Sequence, residues 1–206
     1  MIRHVAAAVC LSVVGHAHAA SLSPADIDAL GRVVYAEAGT QPAAGKAAVL
    51  GVILNRATAT GIGVQDVIDA PGQFEPVLRS PCRSWRCLHP LTPVQRVEFG
   101  TILQLAATGK LADVSGGATH FQNEQIVANR AAAGKVRPSL VGFGGMPVTT
   151  RIADHTFYAG KPSSRSAAPR QALRSMLGDA ETAFPGSDSE PGETVFLSVP
   201  EAAGDR

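Results

Sequence analysis

Ala43 to Leu54 reads Ala-Ala-Gly-Lys-Ala-Ala-Val-Leu-Gly-Val-Ile-Leu, and every position except Lys46 is apolar or small. A helix that is apolar all round has no face to give to water and must be surrounded by the rest of the fold. The chain therefore has to build its core around one central helix, opened by Thr40-Gln41-Pro42. Gly45 and Gly51 cost helix propensity within it and mark positions where a neighbouring element comes close to its backbone.

The flanking segments supply the partners. Ser23-Pro24-Ala25-Asp26 is a helix start, with Ser23 as the cap, Pro24 at the first helical position and Asp26 near the positive helix end. Ile27, Leu30, Val33 and Val34 follow helical spacing, and the helix is expected to stop before Gly39. Val64 to Asp69 predicts a short helical turn ended by Pro71-Gly72, and Leu78 to Leu91 an irregular loop. Thr92-Pro93-Val94-Gln95 is a second capped start with Gln in the reciprocal position, after which Val94, Val97, Ile102 and Leu105 are expected to share a face. Past Gly116-Gly117 the pattern turns to strands at Ala118–Phe121, Val148–Arg151 and Thr156–Tyr158, the last two joined by a turn at Ala153-Asp154. Helices first and a small antiparallel sheet last predict an α+β fold.

The ends read differently. Arg3, the apolar run Val5 to Val14 and Ala17-His18-Ala19 make residues 1–19 a secretory signal peptide, and the protein is expected to be exported to the periplasm or the cell exterior. Cys10 would be lost with that leader, which leaves Cys82 and Cys87 as an even pair in an oxidising compartment and so predicts a disulfide. Zinc is the competing reading for this pair, with His89 as a third ligand, but no fourth ligand or second paired motif accompanies it. After Gly160 the chain shifts to Pro, Ser, Arg and Ala, and from Ser175 onward seven acids face one base, which predicts a largely disordered tail over 160–206. The folding unit is then about 22–159. With 18 Lys+Arg against 17 Asp+Glu the chain has no basic excess to suggest nucleic acid as a partner. No window past the leader supports a membrane-spanning helix, and a monomer is expected.

Glu37 lies three residues after Val34, four after Val33 and seven after Leu30, which places it on the apolar face of the first helix near its C-terminal end. Burial and the negative end of the helix dipole both disfavour the carboxylate. Both predict a raised pKa, and a carboxylic acid still protonated near neutrality can serve as a general acid. The alternative is a helix-end acid paired with Arg32 or Lys46, and on spacing alone that arrangement is the commoner.

The run Leu30-Gly31-Arg32-Val33-Val34-Tyr35-Ala36-Glu37-Ala38 is similar to the opening motif of the SleB-type cell wall hydrolases, the family of the spore-cortex-lytic enzymes. The agreement continues in order. Gly45 to Val49 with Val52-Ile53-Leu54-Asn55-Arg56 resembles the family's second helix, and Gly72-Gln73-Phe74-Glu75-Pro76-Val77 its substrate-side segment. Gly117 to Asn123 resembles its first strand, and Arg151 to Tyr158 its closing strand pair. The resemblance spans roughly 27–158. Two departures stand out. Val136 to Leu140 and a Gly-rich run replace a tryptophan usual between the strand motifs, and the cysteine loop looks like an insertion. The family's separate peptidoglycan-binding domain has no counterpart in these residues.

The resemblance implies a lysozyme-like fold that cleaves the glycan strands of peptidoglycan, mainly as a lytic transglycosylase, with no metal or cofactor. Glu37 falls on the family's catalytic glutamate. That single acid would protonate the glycosidic oxygen of a MurNAc–GlcNAc bond, and its carboxylate would then take the proton of the muramic acid C6 hydroxyl to close a 1,6-anhydro ring. A lysozyme-type hydrolase (muramidase or glucosaminidase) would need a second carboxylate. The candidates are Asp66, Asp69, Glu75, Asp113, Glu124 and Asp154, with Glu75 foremost because it stands in the substrate-side motif. For sugar binding, the Gln73 and Asn123 amides suit acetamido and hydroxyl groups. Tyr35, Phe74 and Phe121 can stack on sugar rings or pack in the core. Thr119 and His120 are placed beside the cleft by the resemblance, and His155 reads as a turn residue.

Three rival classes are weaker. A non-catalytic peptidoglycan-binding module would have lost the acid. A zinc hydrolase on His89, His120 and His155 lacks a short ligand pair, and a serine or cysteine hydrolase lacks a G-x-S-x-G motif.

Overall fold

The computed structural model describes residues 22–160; the segments read as leader and tail lie outside the described residues. Its centre is the apolar helix. This helix, α2 (Ala43–Thr60), buries every residue from Gly45 to Leu54 and also Ala57. Helix α1 (Pro24–Ala38), the short helix α3 (Val64–Asp69) and the first strand pack against it. Leu30, Val33 and Val34 of α1 are fully buried in the shared core.

The expected caps form. The Ser23 hydroxyl accepts from the Asp26 N–H at 3.2 Å, while the Asp26 carboxylate accepts from the Ser23 N–H at 2.9 Å. Thr92 and Gln95 make the same reciprocal pair at the start of helix α5 (Pro93–Ala107). Each such cap is worth about 1 kcal/mol. Close approach explains two glycines. A Cβ on Gly31 would stand 2.7 Å from Leu91 Cδ1 and 3.2 Å from Phe99, so its absence lets α5 and the preceding loop settle on α1. A Cβ on Gly51 would stand 2.6 Å from the Asp113 carboxylate, so its absence lets the loop before the sheet lie on α2.

The sheet is antiparallel with order β1-β3-β2, where β1 is His120–Gln122, β2 is Val148–Ile152 and β3 is His155–Tyr158. Phe121 pairs with Phe157 in one ladder, and Ile152 with His155 beside the turn in the other. Ala153 takes a left-handed φ of +48° in that turn. Helices followed by a small antiparallel sheet make the fold α+β, as the sequence pattern predicts. Cys82 and Cys87 are disulfide-bonded.

Three details differ from the sequence expectations. The first concerns α5, which buries Phe99, Ile102, Leu103 and Ala106, whereas Val94 and Val97 are 78% and 72% exposed and Leu105 is also exposed. Ile102 alone of the expected stripe faces the core, because Phe99 beside Gly31 sets the helix rotation. Second, the loops contain short helices: α4 (Glu75–Arg79), a 3₁₀ turn at Trp85–Cys87, α6 (Glu124–Ala132) and a kinked 3₁₀ segment at Pro138–Gly144. Neither α6 nor the 3₁₀ segment buries a residue, so neither carries an apolar period to be read. Third, β1 begins at His120 rather than Ala118. Ala118 and Thr119 are instead bound through their carbonyls to the end of α2.

Candidate active site

The site is organised by two consecutive polar residues that end the apolar run of α2. Asn55 Nδ2 donates to Asp113 Oδ2 at 2.9 Å and to the Ala118 carbonyl at 3.0 Å. Asp113 in turn accepts from the N–H groups of Ser115 and Gly117, both at 2.9 Å, which folds the loop ahead of β1. Arg56 Nε donates to the Thr119 carbonyl at 2.5 Å. Its guanidinium carbon lies 5.1 Å from the centre of the Phe74 ring, and its Nη1 is buried without a hydrogen-bond partner. An unpaired buried donor of this kind is costly to leave. It marks Arg56 as held for a local charge rather than for its own stability.

That charge is Glu37, half-buried in the last turn of α1. Burial is the largest influence on its carboxyl, and the nearby Glu75 carboxylate adds to it; a hydrogen bond from the Glu75 backbone N–H and the Arg56 guanidinium act in the opposite direction. The balance raises the Glu37 pKa from 4.5 to about 7. Burial pushes the Arg56 pKa down to about 10, with Glu37 opposing it. Neither Arg32 nor Lys46 pairs with Glu37: Arg32 binds Asp28 at 2.8 Å and Lys46 binds Glu98 at 2.8 Å. A half-protonated carboxyl at neutral pH, with a cation and a backbone donor ready for its ionised form, can both give and take a proton.

Glu75 is the first residue of α4 and is held by Arg79 at 2.5 Å and by Arg130 of α6 at 3.4 Å. On the strand side, Thr119 Oγ1 lies 2.9 Å from His120 Nδ1. The His120 pKa is lowered by burial and by Arg56. The ring of Phe143 stands edge-on to both His120 and Tyr158, at 5.2 and 5.3 Å. Glu37, Glu75, Arg56, Thr119 and His120 thus form one connected group.

The other expected sugar-binding residues are placed as follows. Gln73 is exposed in the turn leading into α4. Phe74 is 2% exposed and belongs to the core, beneath Arg56. Phe121 stacks on Phe157 at 5.8 Å. Asn123 caps α6 by accepting from the Ile126 N–H at 3.0 Å. Tyr35 is not brought to Glu37: two residues apart on a helix face different ways. Its hydroxyl donates to Glu98, and the Lys46 ammonium lies 5.1 Å from its ring. Arg56 and Phe143 were missed by sequence reasoning. A cation closing an otherwise apolar helix was the signal for Arg56, and nothing in the Gly-rich stretch marked Phe143. Among the described residues no group of three or more His, Cys, Asp and Glu side chains is arranged to hold a metal, and no helix is long and apolar enough to cross a membrane.

No curated protein matches the chain, and no solved structure does. A family model described as Cell Wall Hydrolase matches residues 40–158, more than half of the chain. The matched span takes in Arg56, Glu75 and all three strands, and it begins three residues after Glu37. With the central helix, the segment 72–77 and the closing sheet all inside that span, the chain belongs to the Cell Wall Hydrolase family.

Proposed function

We propose that the protein is an exported enzyme that cleaves the glycan strands of peptidoglycan as a lytic transglycosylase, with Glu37 as its one catalytic acid–base. The observation that carries this reading is the Glu37 carboxyl, raised to about 7 yet flanked by Arg56 and the Glu75 N–H. Transglycosylation asks one group to protonate the glycosidic oxygen and then, as carboxylate, to accept the proton of the C6 hydroxyl. A pKa near the working pH serves both steps. Burial supplies the acid, and Arg56 with the α4 N–H stabilises the carboxylate left after the first transfer. Thr119 and His120 are proposed to line the sugar path, and Gln73 to meet acetamido groups from the α4 side. Export is supported by the leader-like residues 1–19 and by the disulfide.

A hydrolytic second reading is favoured by one observation, the proximity of Glu75, whose charge acts directly on Glu37. In that reading Glu75 activates water or traps the sugar. Its two arginine partners weigh against a free base, since Arg79 and Arg130 both bind Oε1 and tie the carboxylate in place. Mass spectrometry of muropeptides released from purified sacculi separates the two. 1,6-Anhydro ends are expected, new reducing ends would establish hydrolysis, and no release from sacculi would defeat both.

A further inference from the structure

Among the described residues three non-glycines have a left-handed backbone: Arg83, Phe143 and Ala153. Arg83 lies in the disulfide-bonded loop and Ala153 turns the β2–β3 hairpin. Phe143 is the bulky one. Its φ of +48° and ψ of 43° fall between Gly142 and Gly144, themselves at φ +63° and +70°. A large ring in this region of backbone space is a steric outlier, and it persists only where the surroundings enforce it. Burial does not account for the strain. The 3₁₀ segment Pro138–Gly144 buries no residue, and Phe143 is left half-exposed.

The enforcing contacts come from β1. His120 and Gln122 share one face of that strand, while Phe121 is turned to the other. Gln122 is 8% exposed. With its amide turned so that both atoms are satisfied, it donates to the Leu140 carbonyl at 3.1 Å and accepts from the Gly142 N–H at 2.6 Å. The Gly142 carbonyl in turn accepts from the N–H groups of Gly145 and Met146, both at 3.0 Å. These bonds fix the backbone on either side of Phe143. Its ring is thereby set edge-on to His120 at 5.2 Å and to Tyr158 at 5.3 Å, which are cross-strand partners. Contact with His120 joins the ring to the candidate site. Thr119 Oγ1 lies 2.9 Å from His120 Nδ1, and the Thr119 carbonyl accepts from Arg56 at 2.5 Å, whose charge acts on Glu37.

A half-exposed aromatic ring locked before any ligand arrives loses little freedom on binding. Its face carries the negative lobe of the ring quadrupole and suits the weakly positive C–H face of a pyranose. We infer that Phe143 is a stacking platform for a sugar ring on the strand side of the site, with Gln122 as the positioning residue that holds it there. This rests on the reading of the site as one for peptidoglycan glycan strands. It adds a residue that fixes where a sugar sits along the path past His120.

The test reads binding without turnover, by isothermal titration of glycan strands stripped of stem peptides by an amidase into the full chain carrying Glu37→Gln. On that parent, Phe143→Leu keeps the backbone strain and the cover over Tyr158 but has no flat face, whereas Phe143→Tyr keeps the face. Phe143→Leu is expected to bind about threefold to tenfold more weakly, and Phe143→Tyr to bind as the parent does. Gln122→Met should weaken binding and add nothing to the loss in Phe143→Leu, since both act through one ring. Thermal melts of the same samples set a temperature at which every variant is folded. Unchanged affinity in Phe143→Leu, an equal loss in Phe143→Tyr, or losses from Gln122→Met and Phe143→Leu that simply add would overturn the inference. A parent that binds no strands would bring down the reading of the site together with the platform; a parent that binds, with variants that behave otherwise than expected, brings down the platform alone.

Discussion

Replacing Glu37 by Gln should abolish cleavage and, at the same time, make the protein more stable, but only above about pH 4.5. The carboxyl titrates near 4.5 when the chain is unfolded and near 7 when folded. Below pH 4.5 it is protonated in both states and contributes no difference. Between the two values the folded state holds a proton that the unfolded state has released, so stability falls as pH rises. Above about pH 7 the full penalty applies. At 1.36 kcal/mol per unit the shift amounts to about 3 kcal/mol, and partial exposure reduces this to about 2. Gln cannot ionise, keeps the acceptor for the Glu75 N–H and is spared that penalty. Its melting temperature at pH 8 should exceed that of the native protein by about 6 °C, with the two coinciding near pH 4. Turnover on sacculi should drop by at least ~10²-fold. Native cleavage should itself decline above about pH 7 as the acid form is lost. Thermal melts across pH, paired with a dye-release assay on labelled sacculi, read all of this. An equal melting shift at pH 4 and pH 8, or near-native turnover of the variant, would refute the account.

Arg56→Met should push the Glu37 pKa further up by removing the cation that opposes burial, which moves the alkaline limb of the pH–rate profile upward. It should also cost about 1–3 kcal/mol, because the Thr119 carbonyl loses its donor. Cys82→Ser/Cys87→Ser should lower stability by about 2 kcal/mol, the low end for so short a loop, measured by urea denaturation. In the native protein, alkylation before reduction should leave the mass unchanged. A chain ending at Lys161 is expected to fold by circular dichroism and to cleave sacculi at nearly the full rate, since the family match ends at residue 158; a folded but inactive product would place the tail in the active unit.

What could be read from the sequence was what depends on neighbours along the chain. The Ser23 and Thr92 caps, the fully apolar α2 and the Ala153-Asp154 turn are set by contacts within a few residues. Glu37 was legible for the same reason, since its place follows from Leu30, Val33 and Val34 on one helix. The rotation of α5 was not, because two apolar stripes overlap on that helix and only the gap at Gly31 selects Phe99 over Val97. Helix α6 was invisible because it buries nothing. The environment of Glu37 lay beyond sequence as well: Arg56 and Glu75 reach it from separate helices, and no spacing rule joins positions so far apart. Phe74 shows the converse, a motif residue for which the sequence left a sugar face and a core position equally open and whose neighbours in space make it core.

The strand that arrives last in the chain occupies the middle of the sheet. Neither β1 nor β2 has a partner until His155–Tyr158 inserts between them, and the Thr119 N–H finds its acceptor only in the Tyr158 carbonyl. Arg56 is steadied by that same Thr119. A chain that stops short of β3 therefore contains every helix, Glu37 included, but neither outer strand has a partner. The three-stranded sheet is complete only when the final residues of the domain are present. A ribosome that stalls before residue 155, or a protease that clips β3 away, leaves a helical remnant with no finished cleft.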